Sequence, residues 1–384
     1  MVVKIKTMLK NIKKQYKYKK EYNFFESISN VLDFEPIMNA KVSDVKSICF
    51  VIPGMLAYSG GHTSILRLGT ELANLGYEIR YVTYRGERKK EMIKNASINL
   101  PTYKGEIYEK DELFKLKNDI VVATLWESAY YVKKMNGYKM YFVQDYEPYF
   151  YNYGEKYLLA KQSYKLGLHM VSLGAWNQYM IERECNEKCD FIDFPYEKSE
   201  YAKVEREFNK YADKNVIKLA VYVKSEEKRA PFIIQSILGK LKIEFENKNI
   251  KLEVYYFGED KNLSLKNGTN LGKLNKDQLF ELYKKCDFGV VASLTNISLV
   301  PYEMIASNLP IIEFEEGTFK FFFEEDSSIL TSFDYMELSD KLYNMIKKPE
   351  KIENMTQKAY SQIKNLSWKK SAKQFEAIMN QENR

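Results

Sequence analysis

The sequence predicts an α/β chain of two doubly wound sheets facing across a cleft. Three observations predict it. Short apolar runs alternate with helical patterns along most of the 384 residues, the mark of parallel βαβ units. A highly charged stretch, 197–215, breaks that alternation near the middle. The chain is 45% hydrophobic and 15% aromatic, enough for two cores in a length too great for one ordinary domain.

The elements follow in order. Ser47–Pro53 (SICFVIP) is a buried strand closed by Pro-Gly. The loop GMLAYSGGH leads to a helix over Thr63–Leu75, stopped by Gly76. Strands are expected at Glu78–Thr83, Asp119–Thr124, Met140–Val143 and Leu168–Ser172, with helices at Leu158–Leu166 and Ala175–Glu184. Beyond the hinge, strands are expected at Ile217–Val223, Lys251–Phe257, near Thr269–Gly272, at Phe288–Ala292 and at Pro310–Phe314. Helices there are Phe232–Glu246, Asp277–Lys285, Leu299–Ser307 and Tyr335–Lys347, with a helical tail over 350–380. The divisions are an N-terminal extension and connector (1–46), a first Rossmann-like domain (47–200), a second (216–365) and a crossing-back terminal helix (366–384).

In such sheets ligands bind outside the carboxyl ends of strands. Four segments qualify. Gly60 and Gly61 lie between the first strand and its helix, where bare backbone approaches a ligand closely or simply makes a tight turn. Asp145 and Glu147 follow the strand MYFV and precede Tyr149, Phe150, Tyr151 and Tyr153. Carboxylates beside rings suit sugars. The pair also resembles the D-x-D-like metal site of a GT-A glycosyltransferase, and an Asx-type turn with aromatic packing is the plainer alternative. Tyr222 and Lys224 end a strand, with Lys228 and Arg229 in the following loop, where cations suit a diphosphate or line a solvated loop. Ser298, Leu299 and Val300 open a helix whose free N–H groups suit a phosphate. Glu303, one turn in, accepts two ribose hydroxyls or balances the helix dipole.

The last segment resembles the donor-binding motif of retaining GT-B glycosyltransferases of family 4, in which two glutamates flank seven residues. The second matches Glu303; the first position holds Thr295. FVQDYEPYFY (142–151) more narrowly resembles WsaF-like bacterial rhamnosyltransferases. AVYVKSEEKRAPF (220–232), YEMIASNLPII (302–312) and LSWKKSA (366–372) are similar to the same group, with Lys224 where an arginine is common. The resemblance implies a GT-B fold and transfer of a sugar from a nucleotide diphosphate donor, dTDP-L-rhamnose among the candidates, to a cell-surface glycan. It implies a front-side retaining mechanism with no metal and no cofactor. Tyr222, Lys224, Arg229, Ser298, Leu299, Val300 and Glu303 would hold the donor, and Gly60 and Gly61 would close over it. Asp145 and Glu147 would position sugar hydroxyls. A metal-dependent GT-A-like or nucleotidyl enzyme built on Asp145 and Glu147, and a non-catalytic carbohydrate-binding protein, are the rival readings.

Composition excludes other classes. His62 and His169 are the only histidines, too few for a multi-histidine metal site. Cys49, Cys185, Cys189 and Cys286 do not make a disulfide framework in a chain this long, which points to reducing cytoplasm. No apolar run reaches ~18 residues, and the start lacks the apolar core of a secretory signal. The net charge is +7, from 59 Lys and Arg against 52 Asp and Glu. Eight of those lysines and none of the acids fall in residues 1–20, leaving 51 cations against 52 acids elsewhere. That argues against a nucleic-acid face. In the leader, Ile5, Met8, Leu9, Ile12 and Tyr16 share one helical face. A basic amphipathic helix suits an anionic membrane surface, where a lipid-linked glycan acceptor would lie; docking of that face on the protein is the alternative.

Overall fold

The computed structural model describes residues 2–39 and 42–382, with side chains from residue 7 to residue 381. The side chains of Lys4, Ile5 and Lys6, and the outer ends of the two terminal divisions, lie outside the described residues.

The first sheet holds seven parallel strands: β1 (Ser47–Ile52), β2 (Glu78–Thr83), β3 (Glu106–Tyr108), β4 (Ile120–Ala123), β5 (Tyr138–Val143), β6 (His169–Leu173) and β7 (Cys189–Ile192). Their order is β3-β2-β1-β4-β5-β6-β7. The second sheet holds β8 (Val216–Tyr222), β9 (Lys251–Phe257), β10 (Thr269–Asn270), β11 (Phe288–Val290), β12 (Ile311–Phe314) and β13 (Ile329–Thr331). It too is parallel, in the order β10-β9-β8-β11-β12-β13. Every residue of β1 and β4 is buried. Helices cover both faces of a parallel sheet, so its inner strands read as unbroken apolar runs.

Each chain order reverses beside the first strand of its sheet: β2 lies on one side of β1 and β4 on the other, as β9 and β11 flank β8. A crevice opens outside the carboxyl ends at such a switch point. The two crevices face each other. The terminal helix Trp368–Glu382 follows the second sheet and packs back on the first domain. Its Phe375 ring meets Phe142 of β5 edge-on at 6.3 Å, and Tyr77 Oη donates to Glu376 at 2.9 Å.

Three edge strands were not expected from the sequence: β3, β7 and β13. Each runs only three or four residues, and β3 and β7 carry exposed or half-exposed positions, so no apolar run announces them. The leader is one helix, Val2–Ser29, which runs on into the connector. Among the described residues no helix is long and apolar enough to cross a membrane.

Candidate active site

A cavity of about 920 Å³ lies between the two sets of strand ends. It is lined from the first domain by Gly60, Gly61, Asp145 and Glu147, and from the second by Tyr222, Lys224, Arg229, Ser298, Leu299, Val300 and Glu303. The eleven residues expected to hold donor or sugar thus line one cavity, whereas Tyr149, Tyr151, Tyr153 and Thr295 do not line it.

The glycine turn is open. Ser59 caps the helix Gly60–Asn74, and a Cβ on Gly60 would meet nothing within 4 Å. A Cβ on Gly61 would only touch Gln144, at 3.5 Å. Neighbouring protein atoms therefore do not require these glycines; they leave room over the cleft. His62 turns inward, its Nδ1 2.9 Å from Ser59 Oγ, and burial holds its pKa down to about 4. It braces the turn as a neutral ring.

Across the cleft, Arg229 is buried, its Nη1 and Nη2 each 3.3 Å from the carbonyls of Ala292 and Asn296. Ala230 follows at φ +46°, a left-handed conformation that costs a non-glycine residue roughly 1 kcal/mol. Pro231 next to it disfavours the right-handed helical region for residue 230 and starts the helix Pro231–Glu246. The turn sets Arg229 against the ends of β8 and β11. Burial lowers the pKa of Lys224. Glu226 and Glu259 act against that, yet among the described residues the ammonium forms no ion pair at short range, and it suits an anionic ligand in the cleft.

The helix Leu299–Ala306 begins without a side-chain cap. Ser298 Oγ is buried and has no hydrogen-bond partner. The first-turn amides and the positive end of the helix face the cleft. One turn in, Glu303 is pushed up to about 7, first by burial and then by the Glu200 carboxylate, against the pull of Arg67 and Lys276. Those neighbours were not foreseen. Arg67 sits in the buried run ILRL and pairs with Glu197 at 3.0 Å and with Glu200, which also binds Lys276. Glu197 and Glu200, at the start of the charged hinge, line the cleft. An arginine inside an apolar helical face was the available signal, since such a residue needs buried partners.

Asp145 and Glu147 line the cleft, but their oxygens already have protein partners. Asp145 accepts from Thr295 Oγ1 at 2.9 Å, Asn296 N at 3.0 Å and Lys228 Nζ at 3.1 Å, all from the second domain. Lys228, whose loop the sequence left open between a diphosphate site and a solvated turn, lies between that carboxylate and the Phe150 ring, 3.9 Å from its centroid. Glu147 accepts from Trp126 N at 2.6 Å and Tyr141 Oη at 2.9 Å. Burial pushes its pKa up to about 8. The two carboxylates serve different partners, and among the described residues no three His, Cys, Asp or Glu side chains form a metal-holding group.

Residues 66–174 match the family model of the WsaF N-terminal domain. That segment resembles the WsaF N-terminal domain, and the fold of the chain is GT-B. The O-antigen biosynthesis protein RfbC of Myxococcus xanthus is 26% identical over 219 residues, 52% of this chain. The chain spans only 16% of the length of that relative. A glycosyltransferase from Rickettsia africae superposes on it with a TM-score of 0.63 at 14% identity, covering 88% of this chain and 99% of the other. Anabaena HepE, solved with UDP-glucose, does so with 0.64 at 12% identity, covering 87% and 99%. These two likenesses concern the fold alone.

Proposed function

We propose that the chain is a metal-independent, retaining glycosyltransferase that moves L-rhamnose from dTDP-L-rhamnose to a cell-surface glycan. One observation carries the nucleotide-sugar part: a buried arginine, an uncapped helix start and a part-buried carboxylate converge on one cleft at the switch points of two facing sheets. Arg229, Lys224 and the amides of Leu299 and Val300 hold the diphosphate. Glu303 accepts the ribose hydroxyls, and Tyr222 lies near the nucleoside. Gly60 and Gly61 close over the diphosphate from the first domain. As the sugar leaves, negative charge grows on the diphosphate, so these donors bind the transition state more tightly than the ground state. A front-side displacement needs no protein nucleophile; Asp145 and Glu147 shape the wall beside the transferred sugar. The relative RfbC, named for O-antigen biosynthesis, and HepE, which binds UDP-glucose, support the substrate classes. Rhamnose rests on the likeness of FVQDYEPYFY to the WsaF group.

The protein works from the cytoplasm, peripheral to the inner face of the membrane, on a glycan or lipid-linked glycan acceptor. A screen of nucleotide sugars for hydrolysis and transfer, with and without EDTA, tests the reading. Turnover of dTDP-rhamnose that survives EDTA is expected. Turnover abolished by EDTA would favour the metal reading, and no affinity for any nucleoside diphosphate would sink the transferase.

A further inference from the structure

A second cavity, of about 860 Å³, opens beside the nucleotide cleft. Three pieces of chain wall it: the leader helix through Lys17, Glu21 and Phe25, the segment after β5 from Tyr149 to Lys156, and the loop after β8. Phe150, Glu226 and Lys228 border both cavities, so the two adjoin. Resting on the transferase reading, we propose that this second cavity is the acceptor site and takes a neutral oligosaccharide, whose last sugar reaches past Phe150 into the cleft.

The lining chemistry selects the ligand. Tyr149 and Phe150 are partly exposed rings, which offer flat faces to the C–H side of a sugar. Glu155 and Glu226 are exposed carboxylates, acceptors for hydroxyls. Four glutamates and three lysines line the space, and two of the lysines are committed. Lys156 pairs with Glu21 at 2.5 Å and lies over the Phe24 ring, and Lys228 pairs with Asp145. A phosphate or anionic headgroup would meet surplus carboxylate there; an uncharged polyol would not. The leader therefore completes a binding site: its Glu21–Lys156 pair fixes the outer wall against the start of the helix Glu155–Ser163.

The test uses the full chain, an array of neutral and phosphorylated oligosaccharides, and calorimetry with dTDP and UDP. Tyr149 and Glu155 border the second cavity alone. Tyr149→Ala and Glu155→Ala are expected to weaken neutral-glycan binding by about tenfold each, the worth of one good ring or hydroxyl contact. Affinity for dTDP or UDP is expected to stay unchanged. Binding of phosphorylated glycans only, binding of none, or variants that bind like the parent would overturn the proposal. Glycan binding without any affinity for dTDP or UDP would keep the cavity and sink the transferase reading instead.

Discussion

The Asp145 carboxylate, at the end of β5 in the first domain, accepts a 2.9 Å hydrogen bond from the Thr295 hydroxyl in the second. The same carboxylate takes the Asn296 amide and the Lys228 ammonium. Asn296 answers by donating from Nδ2 to the carbonyls of Gln144 and Leu173 at 2.7 and 2.8 Å. The domains are clasped at the floor of the cleft, and the motif position occupied by Thr295 faces an acid from the opposite domain. Asp145→Ala would leave three donors of the second domain without this acceptor, the Lys228 ammonium among them. The expected cost is about 2–4 kcal/mol, with looser domains. Thermal denaturation and the radius of gyration from small-angle scattering measure both; an unchanged radius would show that the clasp does not hold the domains together. Thr295→Glu, which sets two carboxylates face to face, is expected to open the domains as well.

Arg229→Ala is expected to lower affinity for dTDP and UDP by at least about tenfold, since a charge-assisted contact to phosphate is lost. Arg229→Lys is expected to recover little of it. A lysine cannot hold the carbonyls of Ala292 and Asn296 while also facing the cleft, as the guanidinium fork does. Calorimetry with either diphosphate decides. Equal affinities for parent and alanine variant would remove the diphosphate from this loop.

Glu303, raised to about 7, sets a pH dependence. Only the ionised carboxylate accepts both ribose hydroxyls, so its contribution to nucleotide affinity is expected to grow from about pH 6 to about pH 8. The phosphate titrates too, but equally in parent and variant. Glu303→Gln should therefore remove only the protein's part of the slope. Identical slopes in the two proteins would show that Glu303 does not hold the ribose.

Glu147 and Glu313 are each pushed up to about 8 by burial. Between the ordinary carboxylate range and pH 8, the folded protein keeps protons that the unfolded chain has released. Stability from these groups is therefore full at low pH and is lost as pH rises through about 8. The melting temperature is expected to fall from about pH 5 to about pH 8. Glu147→Gln should flatten that fall, because a neutral amide does not ionise and can still accept from Trp126 N or Tyr141 Oη. A parent melting temperature that does not move across the range would rule out buried protonated carboxyls.

The inner strands were legible because burial on both faces writes itself as apolar runs: β2 and β9 fall where expected, to the residue. The helices Lys89–Asn99 and Trp126–Lys133 were not. The first is polar nearly all round, and the second is buried on nearly every side, so neither shows a helical stripe. In the site, residue types at strand ends pointed to the cleft, because parallel topology brings such ends together. Partners could not be read the same way. The ties of Asp145 to Thr295 and of Arg67 to Glu200 cross 150 and 133 residues; the first depends on how the domains meet and the second on how the end of the first domain folds back.

The leader divides into two parts with different fates. Its later half is docked: Ile28 is buried, and the Phe24 ring meets Trp126 at 6.0 Å. Its earlier half is not: Met8, Leu9, Ile12 and Tyr16 are 64%, 53%, 51% and 73% exposed. So from Met8 to Tyr16 the apolar stripe does not pack on its own protein, which was the alternative to a membrane. An exposed stripe flanked by lysines suits an anionic bilayer, where each lysine near the surface contributes roughly 1 kcal/mol. Deleting residues 1–16 removes five of the eight lysines and the stripe up to Tyr16, yet keeps Lys17, Glu21 and Phe25 on the second cavity. Binding to phosphatidylglycerol vesicles is expected to disappear, while dTDP affinity and soluble glycan binding persist. Binding of the parent protein should also weaken as salt rises, because these charges are exposed and screened. Vesicle binding that survives the deletion would return the leader to an ordinary solvated helix.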